Sequence, residues 1–311
     1  MEIVKKEFYF DSCVNGERIF VRTAGPEDGV PVRGIVQIAH GMAEHSLLYD
    51  SFMEYLAENG FFAAANDHLG HGKSVSCGGV YGYFGEGGCK NLVEDMHRLF
   101  SILHTERKEL PYFLIGHSMG SFLSRSYAAK YGNDLTALVL LGTGAGPGTA
   151  KLEAQRAVAN TIVRRKGPLG HDPMFAKLST GKFNEYFTPA RTPNDWLSRD
   201  EAEVDRYTRD PLCGFSLTVS GYRDILDLQA QINSEKWGRA VPDIPILFAS
   251  GDQDPVGDFG KGVRKSAEYL LRTGHKRVTV KLYPGARHVL LCETNRSEVF
   301  RDLLAFLTDS P

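Results

Sequence analysis

Two hydrophobic patterns alternate along this chain. Short continuous apolar runs are followed by longer stretches in which apolar residues recur at three-to-four spacing. The first pattern suits strands buried on both faces, and the second suits helices that bury a single stripe. Their alternation predicts an α/β architecture, a mostly parallel central sheet with helices on both faces. Strands are expected over residues 4–10, 18–21, 35–39, 61–65, 112–115, 138–141, 246–249 and 278–283. Helices are expected over 49–59, 91–106, 119–131 and 260–273. A closing helix should bury the stripe formed by Val299, Phe300, Leu303, Leu304, Phe306 and Leu307.

The rhythm breaks between residues 148 and 240. That stretch reads as an inserted helical cap, or lid, on a core made of 1–147 and 241–311. It carries Met174, Phe175, Phe183, Phe187, Trp196, Phe215, Leu217, Tyr222 and Trp237. Open α/β sheets bind ligands beyond the carboxyl ends of their strands, so an aromatic insertion there is expected to cover a pocket. Most of these aromatics should form the insertion's own core and two or three should line the pocket. Gly144, Gly146 and Gly148 are either hinge or turn glycines where the insertion begins.

Composition narrows the class. Over 311 residues, 36 basic and 38 acidic side chains leave a formal charge of -2, which offers no chain-wide attraction to nucleic acid or anionic lipid. The densest basic cluster, Arg164-Arg165-Lys166, reads as a solvated turn. Cys13, Cys77, Cys89, Cys213 and Cys292 are odd in number and lack CxxC spacing, so they read as reduced thiols. The first eleven residues lack the apolar core of a signal peptide, and no long apolar run suggests a membrane span, which makes a cytoplasmic location the expectation.

The candidate chemistry begins at Gly116-His117-Ser118-Met119-Gly120, a G-x-S-x-G sequence between an expected buried strand and an expected helix. That context makes it a nucleophile elbow, with Ser118 held at the top of the sheet. A serine hydroxyl needs a base, and the base needs an acid to fix its tautomer. Both should follow strands, so that they share Ser118's edge of the sheet. His288 follows the strand at 278–283, whereas His275 precedes it. The acid should lie in Ser250-Gly251-Asp252-Gln253-Asp254-Pro255. Asp254 is preferred to Asp252 because Pro255 fixes the backbone after it and a helix can start there. The order Ser, Asp, His is the one this fold uses. Oxyanion donors are expected from the backbone N–H groups of Met119 and of Met42, in the loop His40-Gly41-Met42-Ala43-Glu44-His45.

With Asp67-His68-Leu69-Gly70-His71-Gly72-Lys73-Ser74 added, these segments resemble the monoacylglycerol lipase and lysophospholipase branch, of serine aminopeptidase S33 type, of the α/β-hydrolase superfamily. The resemblance covers nearly the whole chain. It implies a helical cap after the sixth strand, an acyl tunnel beneath it, no cofactor or metal, and hydrolysis of a small ester substrate through an acyl-enzyme. His40, Gly41, Phe187 and Phe215 are the expected substrate contacts. The family often has a small residue where Met42 stands, so this side chain should narrow the space beside the donor.

Three other readings compete. A metal-dependent hydrolase would use His40, His45, Asp67, His68 and His71, although these also suit backbone bonding in loops. A peptidase or amidase of prolyl-aminopeptidase type would hold a substrate amine with Glu201, Glu203 and Asp205. A non-catalytic binding protein of the same fold would keep the pocket without the reaction.

Overall fold

The computed structural model describes residues 2–27, 29–175 and 181–310. One sheet of eight strands runs through the molecule in the order β1-β2-β4-β3-β5-β6-β7-β8. The strands are β1 Ile3–Asp11, β2 Arg18–Pro26, β3 Ile35–Ala39, β4 Phe62–Asn66, β5 Tyr112–His117, β6 Ala137–Leu141, β7 Ile246–Gly251 and β8 Val278–Tyr283. The first two strands join the sheet antiparallel, and β4, β3, β5, β6, β7 and β8 run parallel.

The apolar runs form central strands because both of their faces are covered. In β6, Leu138 and Leu140 enter one hydrophobic core while Ala137, Val139 and Leu141 enter the other; Ile246 and Phe248 of β7 oppose Leu247 and Ala249 in the same way. The first core is closed by helices Cys89–Thr105, Met119–Tyr131 and Lys261–Leu271, and the second by Asp50–Glu58 and Arg296–Asp309. Each buried Leu, Ile or Phe contributes about 1.5–3 kcal/mol relative to an exposed one. A one-residue slip would exchange the two faces of a strand, so side-chain volume on both sides fixes the register. In the final helix Val299, Phe300, Leu303 and Leu307 are buried, while Leu304 and Phe306 pack at the margin.

Parallel register brings the carboxyl ends of the strands to one edge. Ala39 of β3 pairs with Gly116 of β5, and His117 pairs with Leu141 of β6. Between β6 and β7 the chain forms helices Thr149–Lys166, Glu201–Arg209, Val219–Ile232 and Glu235–Ala240, and no strand among the described residues. Three of these helices start on side-chain caps: Asp200 accepts from Ala202 and Glu203 N–H, Thr218 from Gly221 N–H, and Ser234 from Trp237 N–H. Arg164, Arg165 and Lys166 end the first of them on an exposed turn, where Lys166 pairs with Asp172.

Arg125, on the helix after Ser118, is fully buried and ties both ends of this inserted segment to the core. Its guanidinium donates to Gly144 O at 3.1 Å, Ile232 O at 2.6 Å and Asn233 Oδ1 at 3.0 Å, and it lies over the Trp237 ring. Gly144 therefore takes part in an anchoring contact at the start of the insertion.

Candidate active site

Ser118 sits between β5 and helix Met119–Tyr131 with φ 52, a left-handed conformation that non-glycine residues seldom adopt. The strain is held by backbone bonds on both sides. Ser118 N–H donates to Leu141 O at 2.9 Å, and Ser118 O accepts from Ser121 and Phe122 N–H. Gly120 is required by the same turn, since a Cβ there would stand 2.0 Å from Ala39 O.

The loops after β7 and β8 are joined by backbone bonds from Asp252 N–H to Tyr283 O and from Gln253 N–H to Ala286 O. They bring His288 Nδ1 to 2.9 Å from Asp254 Oδ2. Asp254 is completely buried and also accepts from Ser250 Oγ at 3.0 Å and Val256 N–H at 2.9 Å. Burial by itself would raise its carboxyl pKa; the adjacent His288 and these hydrogen bonds outweigh burial and hold it below the ordinary value. Asp252 is directed elsewhere, accepting from Gly285 N–H and the Gln253 amide. The helix after this loop starts at Lys261, not at Pro255, with Asp258 and Phe259 at positive φ in between. The His288 ring is packed between Trp196 and His117, at centroid distances of 4.9 and 4.8 Å.

The loop after β3 passes directly beside the serine. A Cβ on Gly41 would stand 3.0 Å from Ser118 Cβ and 2.9 Å from Glu44 Oε1, so a side chain there would crowd both. Among the described residues, no protein acceptor outside its own helix takes the N–H of Met42 or Met119. Sequence reasoning did not identify what holds this loop. Glu44, buried behind it, accepts from Gly41 N–H, from the Tyr49 hydroxyl and from His117 Nδ1 at 3.1 Å. Burial favours the neutral acid, but His117 and the hydrogen bonds outweigh it and keep the Glu44 carboxyl far below its usual range. From the inserted segment, Tyr207 Oη and Gly214 N–H both donate to Ala43 O, at 3.0 and 2.9 Å, and Ala43 itself has φ 54.

A cavity of about 1320 Å³ opens over these groups, lined by Ser118, His288, Met42 and Met119 from the core. Phe175, Phe215, Tyr222 and Leu226 line it from the inserted segment. Of the expected substrate contacts, Phe215 lines this cavity. His40 and Phe187 do not line the cavity. His40 is fully buried, accepting His68 N–H on Nε2 at 2.9 Å, and burial pushes its pKa down to about 3. Phe187 packs outside, under the guanidinium of Arg287. Gly41 contributes its close approach to Ser118 and is absent from the cavity lining.

The residues considered as metal ligands make loop contacts, and as a set their ligand atoms do not converge on one point. Asp67 accepts from Ser46 and Lys73 N–H, and His68 and His71 are buried, each with its pKa pushed down to about 3 mainly by that burial. Among the described residues, the ligand-type side chains that converge are His45, Asp210 and Cys213, which share only His45 with that set. The acids considered for binding a substrate amine are bound to arginines. Glu203 pairs with Arg206, Asp205 with Arg191 and Arg209, and Glu201 approaches Arg191; none of the three lines the cavity. Among the described residues no helix is long and apolar enough to cross a membrane.

Comparison with known proteins gives a consistent result. A family model described as serine aminopeptidase, S33, matches residues 30–295. The crystal structure of a highly thermostable carboxyl esterase from Bacillus coagulans superposes with a TM-score of 0.90 at 35% identity, over 98% of each chain. A lipase solved in an open form gives 0.88 at 29% identity, again over 98% of each chain. The monoacylglycerol lipase of Mycolicibacterium smegmatis is 28% identical over 294 residues, 94% of each chain.

Proposed function

Because the chain belongs to the serine aminopeptidase S33 family of α/β-hydrolases and is a carboxylic ester hydrolase, we propose that Ser118, His288 and Asp254 form its catalytic triad. Its substrate class in this reading is the acyl ester of a small alcohol, of monoacylglycerol or lysophospholipid type. The observation that carries the proposal is the buried 2.9 Å contact of Asp254 with His288 Nδ1, which leaves Nε2 free on the cavity that Ser118 also lines.

In this reading Ser118 Oγ attacks the acyl carbon while His288 Nε2 takes its proton. The Met42 and Met119 N–H groups receive the oxyanion. The tetrahedral intermediate collapses, the ester bond breaks, and His288 returns the proton to the departing alcohol. Water, deprotonated by His288, then attacks the acyl-enzyme and releases the carboxylic acid with Ser118 restored. Asp254, a carboxylate acceptor, keeps the imidazole proton on Nδ1. Residues 148–240 act as the cap, whose apolar side chains take the acyl chain. The family description includes aminopeptidases, but Glu201, Glu203 and Asp205, the insertion's acids considered for a substrate amine, face arginines off the cavity. The five free thiols support a reducing compartment, and the cytosol is the proposed location.

Hydrolysis of nitrophenyl esters from acetyl to palmitoyl, with Ser118→Ala in parallel, tests this function. A maximum at medium or long chains that disappears in the variant is expected. Turnover confined to acetyl and butyryl esters would defeat the lipid assignment, and turnover retained by Ser118→Ala would defeat the mechanism.

A further inference from the structure

The cavity shared by Ser118 and His288 has an end of different chemistry. Helix Thr149–Lys166 and helix Lys261–Leu271 both begin on its wall, and the start of the second packs against the loop that leads into the first: a Cβ on Gly262 would lie 3.3 Å from Ala145 N. Lys151 stands in the first turn of one helix, and Lys261 and Lys265 stand one turn apart on the same face of the other. All three line the cavity. Ion pairs among the described residues engage Lys5, Lys73, Lys130, Lys166 and Lys281, and none engages these three. Asp258 is the acid on the same wall, and it leaves the group net positive. One turn beyond Lys151, Gln155 also faces the cavity, and its amide oxygen is buried with no protein partner.

Unpaired ammonium groups at two helix N-termini produce a positive potential where the backbone dipoles already favour an anion. The Gln155 amide, which can present either its oxygen or its NH2 after a flip, is an unfilled hydrogen-bonding position beside them. Phe175, Phe215, Tyr222 and Leu226 make the rest of the insertion's wall apolar. We propose that this basic end is a subsite for an anionic group carried by the ester, a phosphate or a carboxylate, so that the enzyme favours amphiphilic esters with a charged end over wholly neutral ones. This rests on the ester-hydrolase reading and specifies its substrate class.

Two matched pairs separate the sources of the anion. Decanoylglycerol against decanoylglycerol phosphate places the charge on the alcohol, and the nitrophenyl ester of decanoic acid against that of decanedioic acid places it on the acyl chain. In at least one pair the anionic member is expected to have a KM lower by roughly three- to tenfold at low salt. That advantage should shrink at about 0.5 M salt, where exposed charges are screened within a few Å. The ratio of the two KM values should collapse toward one in Lys151→Gln/Lys261→Gln/Lys265→Gln, and persist in Arg264→Gln, which removes a neighbouring exposed charge off the cavity. Equal KM values within both pairs, or a ratio that survives the triple variant, would overturn the subsite. Binding of decyl phosphate and decanol to the Ser118→Ala protein, followed by tryptophan fluorescence, gives a readout independent of turnover. If no ester is cleaved by the unmodified protein but decyl phosphate binds in a lysine-dependent way, the hydrolase reading fails and the subsite stands.

Discussion

Asp254 accepts three hydrogen bonds inside a fully buried site, and each of its partners is a donor. An asparagine in its place has one acceptor oxygen and a donating NH2, so the NH2 must face either Val256 N–H, or His288 and Ser250 together, which share Oδ2. In the second orientation the imidazole is driven to the tautomer with its proton on Nε2, which cannot take the proton of Ser118. Asp254→Asn is therefore expected to lower kcat by about 10⁴. The unmatched donor should cost about 1–3 kcal/mol of stability, measurable as a lower Tm in a variant that still folds. Asp252→Asn, which disturbs only the Gly285 and Gln253 contacts, should stay within about threefold of normal turnover. Steady-state kinetics and thermal melts on the pair decide the assignment: near-normal kcat in Asp254→Asn would end Asp254's role as the orienting acid.

At the scale of elements, the loop after β3 is held from two sides, by Glu44 and Tyr49 of the core and by Tyr207 and Gly214 of the inserted segment. The contacts on Ala43 O keep a non-glycine residue at φ 54, a conformation that costs roughly 1–2 kcal/mol. Placement of the Met42 N–H thus depends on the insertion being docked. Tyr207→Phe removes one of the two bonds to Ala43 O and keeps the ring. It should lower kcat by about two- to tenfold, the equivalent of one neutral hydrogen bond, while KM changes less. A KM effect with kcat intact would show that Tyr207 serves the acyl pocket instead.

The strands, the serine elbow and the position of His288 were legible in sequence because each depends on local signals: continuous apolar runs, a glycine pair around a serine, and order relative to a strand. Contacts that arise only when distant segments meet were not legible. Nothing near Glu44 or Ala43 signals Tyr207, 163 or more positions away. Aromatic content marked the insertion as pocket-forming, yet it could not tell that Phe215 turns to the cavity while Phe187 lies under Arg287. His40 is a similar case. Its place in the loop beside Ser118 suggests substrate, whereas its ring bonds the backbone of the neighbouring loop.

Across the whole molecule, the most consequential burial of polar groups is the trio His40, His68 and His71. Their rings lie 4.2, 5.1 and 6.4 Å apart in pairs beneath the carboxyl ends of β3 and β4. Burial first, then neighbouring histidines, depresses all three from 6.5 to about 3. Between those values the unfolded chain binds protons that the folded chain refuses, so stability is complete above about 6.5 and declines as the pH falls. Each histidine contributes a slope of up to about 1.4 kcal/mol per pH unit once the unfolded form is fully protonated. Three acting together would offset several kcal/mol of a typical folding free energy of about 5–15 kcal/mol by about pH 4.5. Asp254 and Glu44, both depressed, add a further loss as the pH falls below their ordinary values of 3.8 and 4.5. The expected result is a Tm that falls steeply between about pH 6.5 and 4.5. In His71→Phe, whose ring would remain beside Phe84 and Phe215, the slope should lessen by one proton's share. Melts recorded from neutral pH downward check this. A Tm that holds level to pH 4.5, or an unchanged slope in the variant, would mean that these buried histidines do not set the acid limit of the fold.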